Sequence, residues 1–297
     1  MTSREQVLYY KHAMKKDKKS KLRKKICDIA LMILIGFFVL FPFYVLIATS
    51  VMSVEESNYA NFKFWPENFS LESYYKVIFG DKGGYSLPKG FVNTILYYLP
   101  SSIIGVVVSA ISAFAFAKMH FKWKNIMFAI LMATMMIPNT MSLIISFLIY
   151  DFVGWIGTAL PIIVPRMFGT VGCVFFLRQY YMSLPKELID SAKVDGLGWF
   201  GTFWRIMFPL SLPAVVTQII LFFISGYNDY LAPLLYLPYS EQATLQLVLA
   251  QYEDPYIQDW PVRMAGCIVS MVPMIVLYLF SQKAILKDMS VGSGFKG

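Results

Sequence analysis

Hydrophobic and polar positions along this chain are segregated into long blocks. Apolar runs of about 20 residues alternate with shorter polar segments that carry most of the charges. A helix of that length crosses the hydrocarbon core of a bilayer, which is about 30 Å thick. The runs are too long, and alternate too little, to be strands of a transmembrane barrel. The pattern therefore predicts an all-α fold, a polytopic membrane helical bundle.

We predict six transmembrane helices from these blocks. Their approximate ranges are 27–50, 91–117, 126–150, 158–178, 213–237 and 262–283. The first block is about 20 residues long, beyond the roughly 7–15 apolar residues of a cleaved signal peptide, so we interpret it as a retained helix. The chain then divides into a basic tail (1–26), a first helix with a long outer loop (27–90) and a helical core (91–297).

Composition and charge support a membrane protein and argue against a nucleic-acid partner. The chain is 57% hydrophobic and 15% charged, whereas soluble domains are about 25% charged. Its net charge is +8, and nine Lys and Arg residues lie between Lys11 and Lys25, directly before the first apolar block. A basic flank at this position orients a membrane protein rather than binding nucleic acid.

The remaining charges predict that both termini are cytoplasmic. With the N-terminus inside, the inner segments hold most of the Lys and Arg residues, and the outer loops hold most of the acidic ones. Two outer loops, 51–90 and 238–261, are long. Each is either a docking surface for an outside partner or a solvated connector with interfacial aromatic residues.

The second predicted helix carries a small residue at every fourth position. These residues are Ser101, Gly105, Ser109, Ala113 and Ala117. Small side chains at this spacing let helix backbones approach closely. The sequence leaves open whether the neighbouring helix belongs to this chain or to another.

Polar residues interrupt three predicted spans. In the third, Pro138 and Asn139 indicate either a broken helix along a transport pathway or a kink satisfied by neighbouring helices. In the fifth, Asp229 lies about 25 Å along the helix, where it either lines a pathway or reaches interfacial water. In the fourth, Arg166 either has a partner inside the bundle or snorkels to the surface.

The loop between the fourth and fifth predicted helices, residues 179–212, is too long for a turn and carries both signs of charge. Ser183 as a cap and Pro185 in the first turn predict the start of a short helix, which Gly196 can end in the left-handed conformation.

The short helix in this loop is amphipathic, and a second helix is predicted from Trp199 to Phe208. The apolar positions of the short first helix are Leu188, Ile189, Ala192 and Val194. A helix that rests on lipid headgroups is rich in cations. The charges here are mixed, which favours contact with a protein.

The loop at residues 179–212 resembles the EAA loop of ABC importer permeases, whose pattern is Glu-Ala-Ala, three residues, Gly, nine residues, Ile, any residue and Leu-Pro. Because of this resemblance we refer to residues 179–212 as the coupling loop. Asp190-Ser191-Ala192 stand in place of Glu-Ala-Ala, Gly196 and Ile206 match the glycine and the isoleucine, and Phe208-Pro209 stand in place of Leu-Pro. The spacing is kept, while Asp, Ser and Phe depart from the pattern.

Other stretches resemble the carbohydrate-uptake permeases, in particular the maltose-importer-like partner of a two-permease pair. They are Asn93-Thr94, AFAFAKMHFKWKN, MMIP, GYNDYLAPLLYL and the C-terminal GSGFKG. The resemblance covers roughly residues 90–297. It implies that 91–297 is an ABC transporter permease core in a bacterial-type cell (inner) membrane.

The resemblance also implies site residues and partners. The ATPase-coupling residues would be Glu187, Asp190, Ser191, Ala192, Asp195, Gly196, Ile206 and Pro209, within a coupling helix at 185–196. Candidate substrate-path residues are Asn139, Tyr227, Asn228, Asp229 and Tyr230. The expected partners are a homologous second permease, two cytoplasmic P-loop ATPase subunits, an extracytoplasmic sugar-binding protein and the lipid membrane. No cofactor is expected on this chain, because ATP and Mg²⁺ would bind to the ATPases.

The expected function is a non-enzymatic permease subunit of an ATP-driven importer for a sugar or oligosaccharide. The chain contains no GxxxxGK[ST] phosphate loop, so ATP hydrolysis would need another subunit. The alternative is a self-contained secondary transporter or channel, which the lack of a duplicated half and the few charges inside the spans disfavour. An intramembrane enzyme would need a catalytic constellation that the sequence lacks. Composition alone allows a structural scaffold, which the coupling-loop resemblance disfavours.

Overall fold

The structure is a computed structural model. It describes residues 3–57, 64–80, 83–252 and 259–294, without the side chains of residues 3–20, 22, 139 and 283–294. The side chain of Asn139 and the last residues of the C-terminal GSGFKG stretch therefore lie outside the described part of the chain.

The described chain is all-α, as predicted. Its helices are α1 (Ser3–Ser50), α2 (Val54–Ser57), α3 (Glu72–Phe79), α4 (Leu87–Lys118), α5 (Lys124–Thr134), α6 (Asn139–Phe152), α7 (Leu160–Met167), α8 (Val171–Ser183), α9 (Glu187–Val194), α10 (Trp199–Thr202), α11 (Phe208–Leu210), α12 (Leu212–Tyr227), α13 (Leu231–Tyr236), α14 (Leu245–Ala250) and α15 (Trp260–Gly294). A π-helical turn, Phe203–Met207, joins α10 to α11, and a 3₁₀ turn, Ser240–Gln242, precedes α14.

Four helical segments among the described residues are long and apolar enough to cross a membrane. They are Arg23–Ser50, Leu87–Lys118, Leu160–Ser183 and Trp260–Gln282. They correspond to the first, second, fourth and sixth predicted helices. A fifth arises if Trp199–Leu210 and α12, which meet at a bend of 77°, are counted as one span. The total of six spans stays a prediction.

The third predicted helix, 126–150, is two helices rather than one. Helix α5 has 11 residues and α6 has 14, so neither alone has the length of about 20 residues that a span needs. They are separated at Met135–Pro138, because proline has no backbone N–H and disfavours the helical conformation of the residue before it. The predicted break is confirmed, whereas the continuous helix is not.

The fifth predicted helix, 213–237, is also interrupted. Helix α12 ends at Tyr227, and the chain resumes helical structure only at Leu231 in α13. The predicted range 213–237 is therefore too long for one continuous helix. Counting consecutive apolar residues does not reveal this interruption. Polar side chains at the break can form hydrogen bonds with nearby backbone groups in place of the helical ones.

Helix α4 lies at the centre of the bundle and packs against α7, α8, α12 and α14. Its small-residue stripe faces these neighbours, since Ser101, Ser109 and Ala113 have no exposed surface. A Cβ atom on Gly105 would lie 2.2 Å from the carbonyl oxygen of Arg166 and 3.1 Å from the ring of Phe222. The close approach predicted by the stripe is thus made within this chain, to α7 and α12.

The bundle has two apolar cores, one toward each end of α4. One core joins the C-terminal half of α4 to α8, the coupling loop and the start of α12. The other joins the N-terminal half of α4 to α3, α14, α15 and the end of α12. Two separate ends are thereby stabilised, one carrying the coupling loop and the other carrying the loops predicted to be outside.

Candidate functional site

Helix α9 of the coupling loop ends at Val194, and Gly196 terminates it in the left-handed conformation, as the sequence predicts. Gly196 has φ of +76°, which residues with a side chain adopt only at a cost. Its N–H donates to the carbonyl of Lys193 at 3.0 Å, and the N–H of Leu197 donates to the carbonyl of Ala192 at 2.9 Å. This pair of bonds satisfies the last helical carbonyls and turns the chain sharply.

The start of α9 differs from the prediction. The helix begins at Glu187, with Lys186 before it and no side-chain cap. The hydroxyl of Ser183 donates instead to the carbonyl of Tyr180 at 2.7 Å, because Ser183 is the last residue of α8. Ser183 as a cap of α9 was therefore wrong. Glu187 and Asp190 do lie in the first turn, where carboxylates favour the positive end of the helix dipole.

One side of α9 is fixed to the bundle and the other is exposed. Ile189 and Ala192, three positions apart, are 4% and 0% exposed. Val194, predicted as an apolar position of the same face, is 87% exposed, which corrects that assignment. Val194 follows Ala192 by two residues, which is about 200° around a helix of 3.6 residues per turn, so it lies on the opposite side. In the next helix, Phe200 is also 75% exposed.

Six of the eight predicted ATPase-coupling residues divide between these two sides of α9. Glu187, Asp190, Ser191, Asp195 and Gly196 are exposed, and Ala192 is buried. The remaining two lie further along the loop: Ile206 is half-buried in the π-helical turn, and Pro209 is exposed in α11. The structure thus presents five of the eight on one free surface. Their role in coupling stays a prediction.

An aromatic cluster joins the coupling loop to the bundle. The ring of Phe114 in α4 lies 5.5 Å from that of Phe203, 6.1 Å from that of Tyr181 and 6.2 Å from that of Trp199. The pairs of Phe114 with Tyr181 and with Trp199 are edge-to-face, a geometry that contributes beyond the area that it buries. The predicted aromatic helix over 199–208 is present as α10, the π-helical turn and the first residue of α11. The part of the coupling loop that follows α9 is therefore packed directly against α4.

Two hydrogen bonds close the base of the coupling loop. The hydroxyl groups of Tyr181 and Ser211, at the two ends of the loop, are 2.9 Å apart and buried. The ammonium of Lys118 donates to the carbonyl of Leu184 at 2.7 Å. The base of the loop is accordingly held against the ends of α4, α8 and α12.

The second candidate site is the break between α12 and α13. Tyr227 is 2% exposed, and its hydroxyl donates to the carbonyl of Ser270 in α15 at 2.7 Å. Asn228 is exposed, and its Nδ2 donates to the carbonyl of Ile224 at 3.0 Å. Tyr230 is 39% exposed. Tyr227 and Asn228 line a cavity of about 300 Å³, and Tyr230 lines a neighbouring cavity of about 310 Å³.

Asp229 points the other way, toward α4. Its Oδ2 accepts a hydrogen bond from the hydroxyl of Tyr98 at 3.1 Å, and its Oδ1 accepts one from the backbone N–H of Ala232 at 3.3 Å. Asp229 lines neither of the two cavities among the described residues. Its carboxylate holds the start of α13 and ties the break to the central helix.

Arg166, which the sequence left undecided, has partners inside the bundle. Its guanidinium lies between two rings, 3.9 Å from that of Phe222 and 5.0 Å from that of Tyr98. Its Nη2 donates to the carbonyl of Phe222 at 2.6 Å and to the hydroxyl of Ser102 at 3.3 Å. Tyr98 therefore stands between a cation and an anion.

Sequence reasoning missed the participation of Tyr98, Ser270 and Gln246. Gln246 lines both cavities beside the break, although it belongs to a segment that the sequence treats as an outer loop. Ser270 lies in the middle of an apolar span. An amide in the otherwise apolar run Leu245–Ala250 is the one local signal that could have identified Gln246.

The two loops predicted to be outside meet at the end opposite the coupling loop. The Nδ2 of Asn93 in α4 donates to the carbonyls of Glu241 and Ala243, both at 3.0 Å, which holds the second loop against α4 beside the first loop. A surface cavity of about 560 Å³ is lined by Gly83 and Tyr85 from the first loop and by 238–242 from the second. The loops thus form one combined surface.

Comparisons with known proteins agree with this architecture. A family model described as "Binding-protein-dependent transport system inner membrane component" matches residues 105–291. The chain is similar to the arabinooligosaccharides transport system permease protein AraQ of Bacillus subtilis (strain 168), with 31% identity over 89% of this chain and 93% of AraQ. It is also similar to the alpha-glucoside transport system permease protein AglG of Rhizobium meliloti (strain 1021), with 26% identity over 77% of this chain and 61% of AglG.

A solved structure has the same fold. It is a chain of a bacterial ABC transporter involved in the import of the acidic polysaccharide alginate, with a TM-score of 0.75 and 21% identity. The match covers 89% of this chain and 97% of that one. At this identity the likeness concerns the helical membrane fold alone.

Proposed function

This chain belongs to the family of inner-membrane components of binding-protein-dependent transport systems, and on that premise we propose that it is one permease subunit of an ATP-driven importer for a sugar or oligosaccharide. The names of the relatives AraQ and AglG, which refer to arabinooligosaccharides and alpha-glucosides, support the class of substrate. A self-contained secondary transporter or channel does not fit this family.

The observation that carries the proposal is the exposed side of the coupling loop. Val194 and Phe200 are apolar and largely exposed beside the carboxylates of Asp190 and Asp195. Exposed apolar side chains that are surrounded by polar ones mark protein interaction sites. We assign this surface, on α9 and the start of α10, to contact with a cytoplasmic ATPase.

ATP and Mg²⁺ belong, in this proposal, to two partner P-loop ATPase subunits. The chain lacks a phosphate loop of its own, so it supplies no nucleotide site of that type. Closure of the ATPases would move α9, and the rings around Phe114 would transmit the displacement to α4. The chain itself is then a mechanical part of the transporter and not an enzyme.

The substrate path would run between this chain and a homologous second permease. Tyr227, Asn228 and Tyr230 lie beside two cavities and offer the ring faces and amide groups that suit sugars. Asp229 would act as a gate residue by holding the break in place. Asn139 remains a candidate from the sequence alone.

The orientation in the membrane follows from the same proposal. The coupling loop and both termini would lie in the cytoplasm of a bacterial-type cell. The combined surface of loops 51–90 and 238–261 would face outward and receive an extracytoplasmic sugar-binding protein. The Lys and Arg distribution supports this orientation.

Uptake into proteoliposomes tests the proposal. The complex purified through this chain should accumulate a radiolabelled oligosaccharide only with ATP on the side of the coupling loop, and a proton or sodium gradient should not replace ATP. Uptake driven by a gradient alone would reject the importer assignment. Asn228→Ala and Asp229→Ala should reduce uptake at normal expression, and unchanged uptake in both would remove them from the path.

A further inference from the structure

Two cavities in the described part of the chain adjoin each other and share the side chain of Gln246. The first, of about 310 Å³, lies beside Tyr230 and Arg263. The second, of about 300 Å³, lies beside Asn228, Ser270 and Met274. Each is at the lower end of the range of small-molecule sites, which is about 300–1,000 Å³. Gln246 stands where one continuous ligand would pass from the first cavity to the second.

One face of α15 forms the wall common to both cavities. The lining positions Arg263, Cys267, Ser270, Met274 and Tyr278 are separated by three or four residues, which is the spacing of a single helix face. They extend for about 22 Å along the helix at 1.5 Å per residue. The two cavities are therefore sections of one groove, which begins near Trp260 and passes the middle of the span.

The second cavity contains no charged side chain among its described lining residues. Its polar groups are amides and hydroxyls, from Asn228, Gln246 and Tyr278, between methionine and isoleucine side chains. A charged ligand at this depth would lose its hydration without gaining a counter-ion, which is costly. In the first cavity, Arg263 is engaged, because its Nε donates to the carbonyl of Tyr252 at 2.9 Å and its guanidinium stacks on Trp260 at 5.1 Å.

The amide of Gln246 has no hydrogen-bond partner among the described residues, and it is half-buried. A half-buried amide both donates and accepts, so it can bind a ring hydroxyl in either sense. Tyr227 has a structural role instead, because its buried hydroxyl donates to the carbonyl of Ser270 and holds α12 against α15. The groove therefore has a wall that this hydrogen bond holds in place, and the amide of Gln246 lies at its centre.

We propose that this groove is a binding site for a neutral sugar on this chain, with Gln246 and Asn228 as its hydrogen-bonding residues and Tyr230 and Tyr278 as stacking surfaces. The proposal rests on the proposed function and adds the location, the residues and the charge of the substrate. It places the sugar on the α12, α14 and α15 side of the break and away from Asp229.

Cysteine labelling in the purified complex tests the location. Met274→Cys is introduced after replacing Cys27, Cys173 and Cys267, and Leu279→Cys, which is 56% exposed and lines neither cavity, is the matched control. A small charged methanethiosulfonate should modify position 274 at least about tenfold faster than position 279, because a thiolate forms only where water has access. Maltotriose or arabinotriose, whichever the complex takes up, should slow the labelling at 274 only.

A transport measurement tests the residue and the charge. Gln246→Ala should raise the KM of uptake by about tenfold with an unchanged maximal rate, as expected for the loss of one or two hydrogen bonds. Gln218→Ala, which removes an amide from α12 outside the groove, should leave KM within about twofold. Trigalacturonate, the acidic probe, should not be taken up.

The possible outcomes distinguish a failure of the groove proposal from a failure of the importer assignment. ATP-dependent uptake of a neutral probe without protection at 274, or with a normal KM for Gln246→Ala, would overturn the groove and leave the importer assignment intact. Uptake of trigalacturonate alone would overturn the neutral character of the site. If none of the three probes is taken up with ATP, the assignment to sugar import fails and the groove proposal fails with it.

Discussion

The hydroxyl of Tyr98 donates a hydrogen bond to Oδ2 of Asp229 at 3.1 Å, across a sequence separation of 131 residues. This bond joins the central helix α4 to the break after α12. Tyr98 has no exposed surface, and Gly226 lies so close to its ring that a Cβ there would be 2.2 Å from Cδ1. The break is therefore held from two sides, by a hydrogen bond and by close packing.

Tyr98→Phe and Asp229→Asn should each lower the thermal stability of the purified complex. Loss of the hydrogen bond should cost about 0.5–2 kcal/mol, in keeping with interhelical hydrogen bonds in membranes. The double variant should lose no more than the larger single loss, because both changes remove one interaction. Melting curves of the four proteins in detergent measure this, and additive losses would show that the two side chains act independently.

Arg166→Met should destabilise the bundle more than Arg166→Lys. Methionine keeps the volume but removes the cation and its hydrogen bonds to Phe222 and Ser102, at a cost of about 2–3 kcal/mol. Lysine keeps the charge but cannot stack as a planar group between the two rings. Yield and melting temperature of the two variants provide the comparison, and equal values for both would contradict a role for the cation between Tyr98 and Phe222.

Gly105→Ala should impair assembly of the bundle. The new methyl group would press on the backbone oxygen of Arg166, which cannot move as a flexible side chain can, so we expect a loss of at least about 1–3 kcal/mol. Gly36→Ala is the matched control, because no atom lies within 4 Å of a Cβ at that position in α1. Normal yield and stability of Gly105→Ala would mean that α4 and α7 are further apart than described.

Val194→Asp and Phe200→Asp should leave folding intact and weaken binding of the ATPase. Both side chains are largely exposed, so the substitutions should change stability by less than about 0.5 kcal/mol. In the complex, each would place a new charge in an apolar contact. Co-purification of the ATPase measures the effect, and full retention in both variants would move the docking surface elsewhere.

Local features of the fold could be predicted from the sequence. Gly196 ends α9 as expected, because the left-handed conformation is a property of the glycine itself and its immediate neighbours. Pro138 interrupts the third span for an equally local reason. The small-residue stripe around Gly105 also indicated close packing, although only the structure identifies α7 and α12 as the neighbours.

Features that depend on the relative position of distant helices could not be predicted. Asp229 was identified as an ionisable residue in a span, but its partner Tyr98 is an ordinary aromatic residue in another helix. Val194 was grouped with the apolar positions of α9, although two residues after Ala192 it lies about 200° around the helix, so this exposed position is one that spacing could have excluded. Gln246 was overlooked because the cavities that it lines are formed largely by α15, which is distant in the sequence.

Co-purification with a matched pair of glycine variants tests the central claim most directly. Gly196 has a positive φ and Gly198 has φ of −72°, while no atom lies within 4 Å of a Cβ at either position. Arginine at 196 should therefore misplace α9 through backbone strain of about 1–2 kcal/mol. Arginine at 198 adds the same side chain to the same loop without that strain.

The tagged wild-type chain and Gly198→Arg should bring down a P-loop ATPase and a second permease from mild detergent, as identified by mass spectrometry. Gly196→Arg should keep the second permease and lose most of the ATPase. A wild-type chain that purifies alone, or a Gly196→Arg chain that keeps all its partners, would contradict the assignment of the coupling loop to an ATP-driven importer.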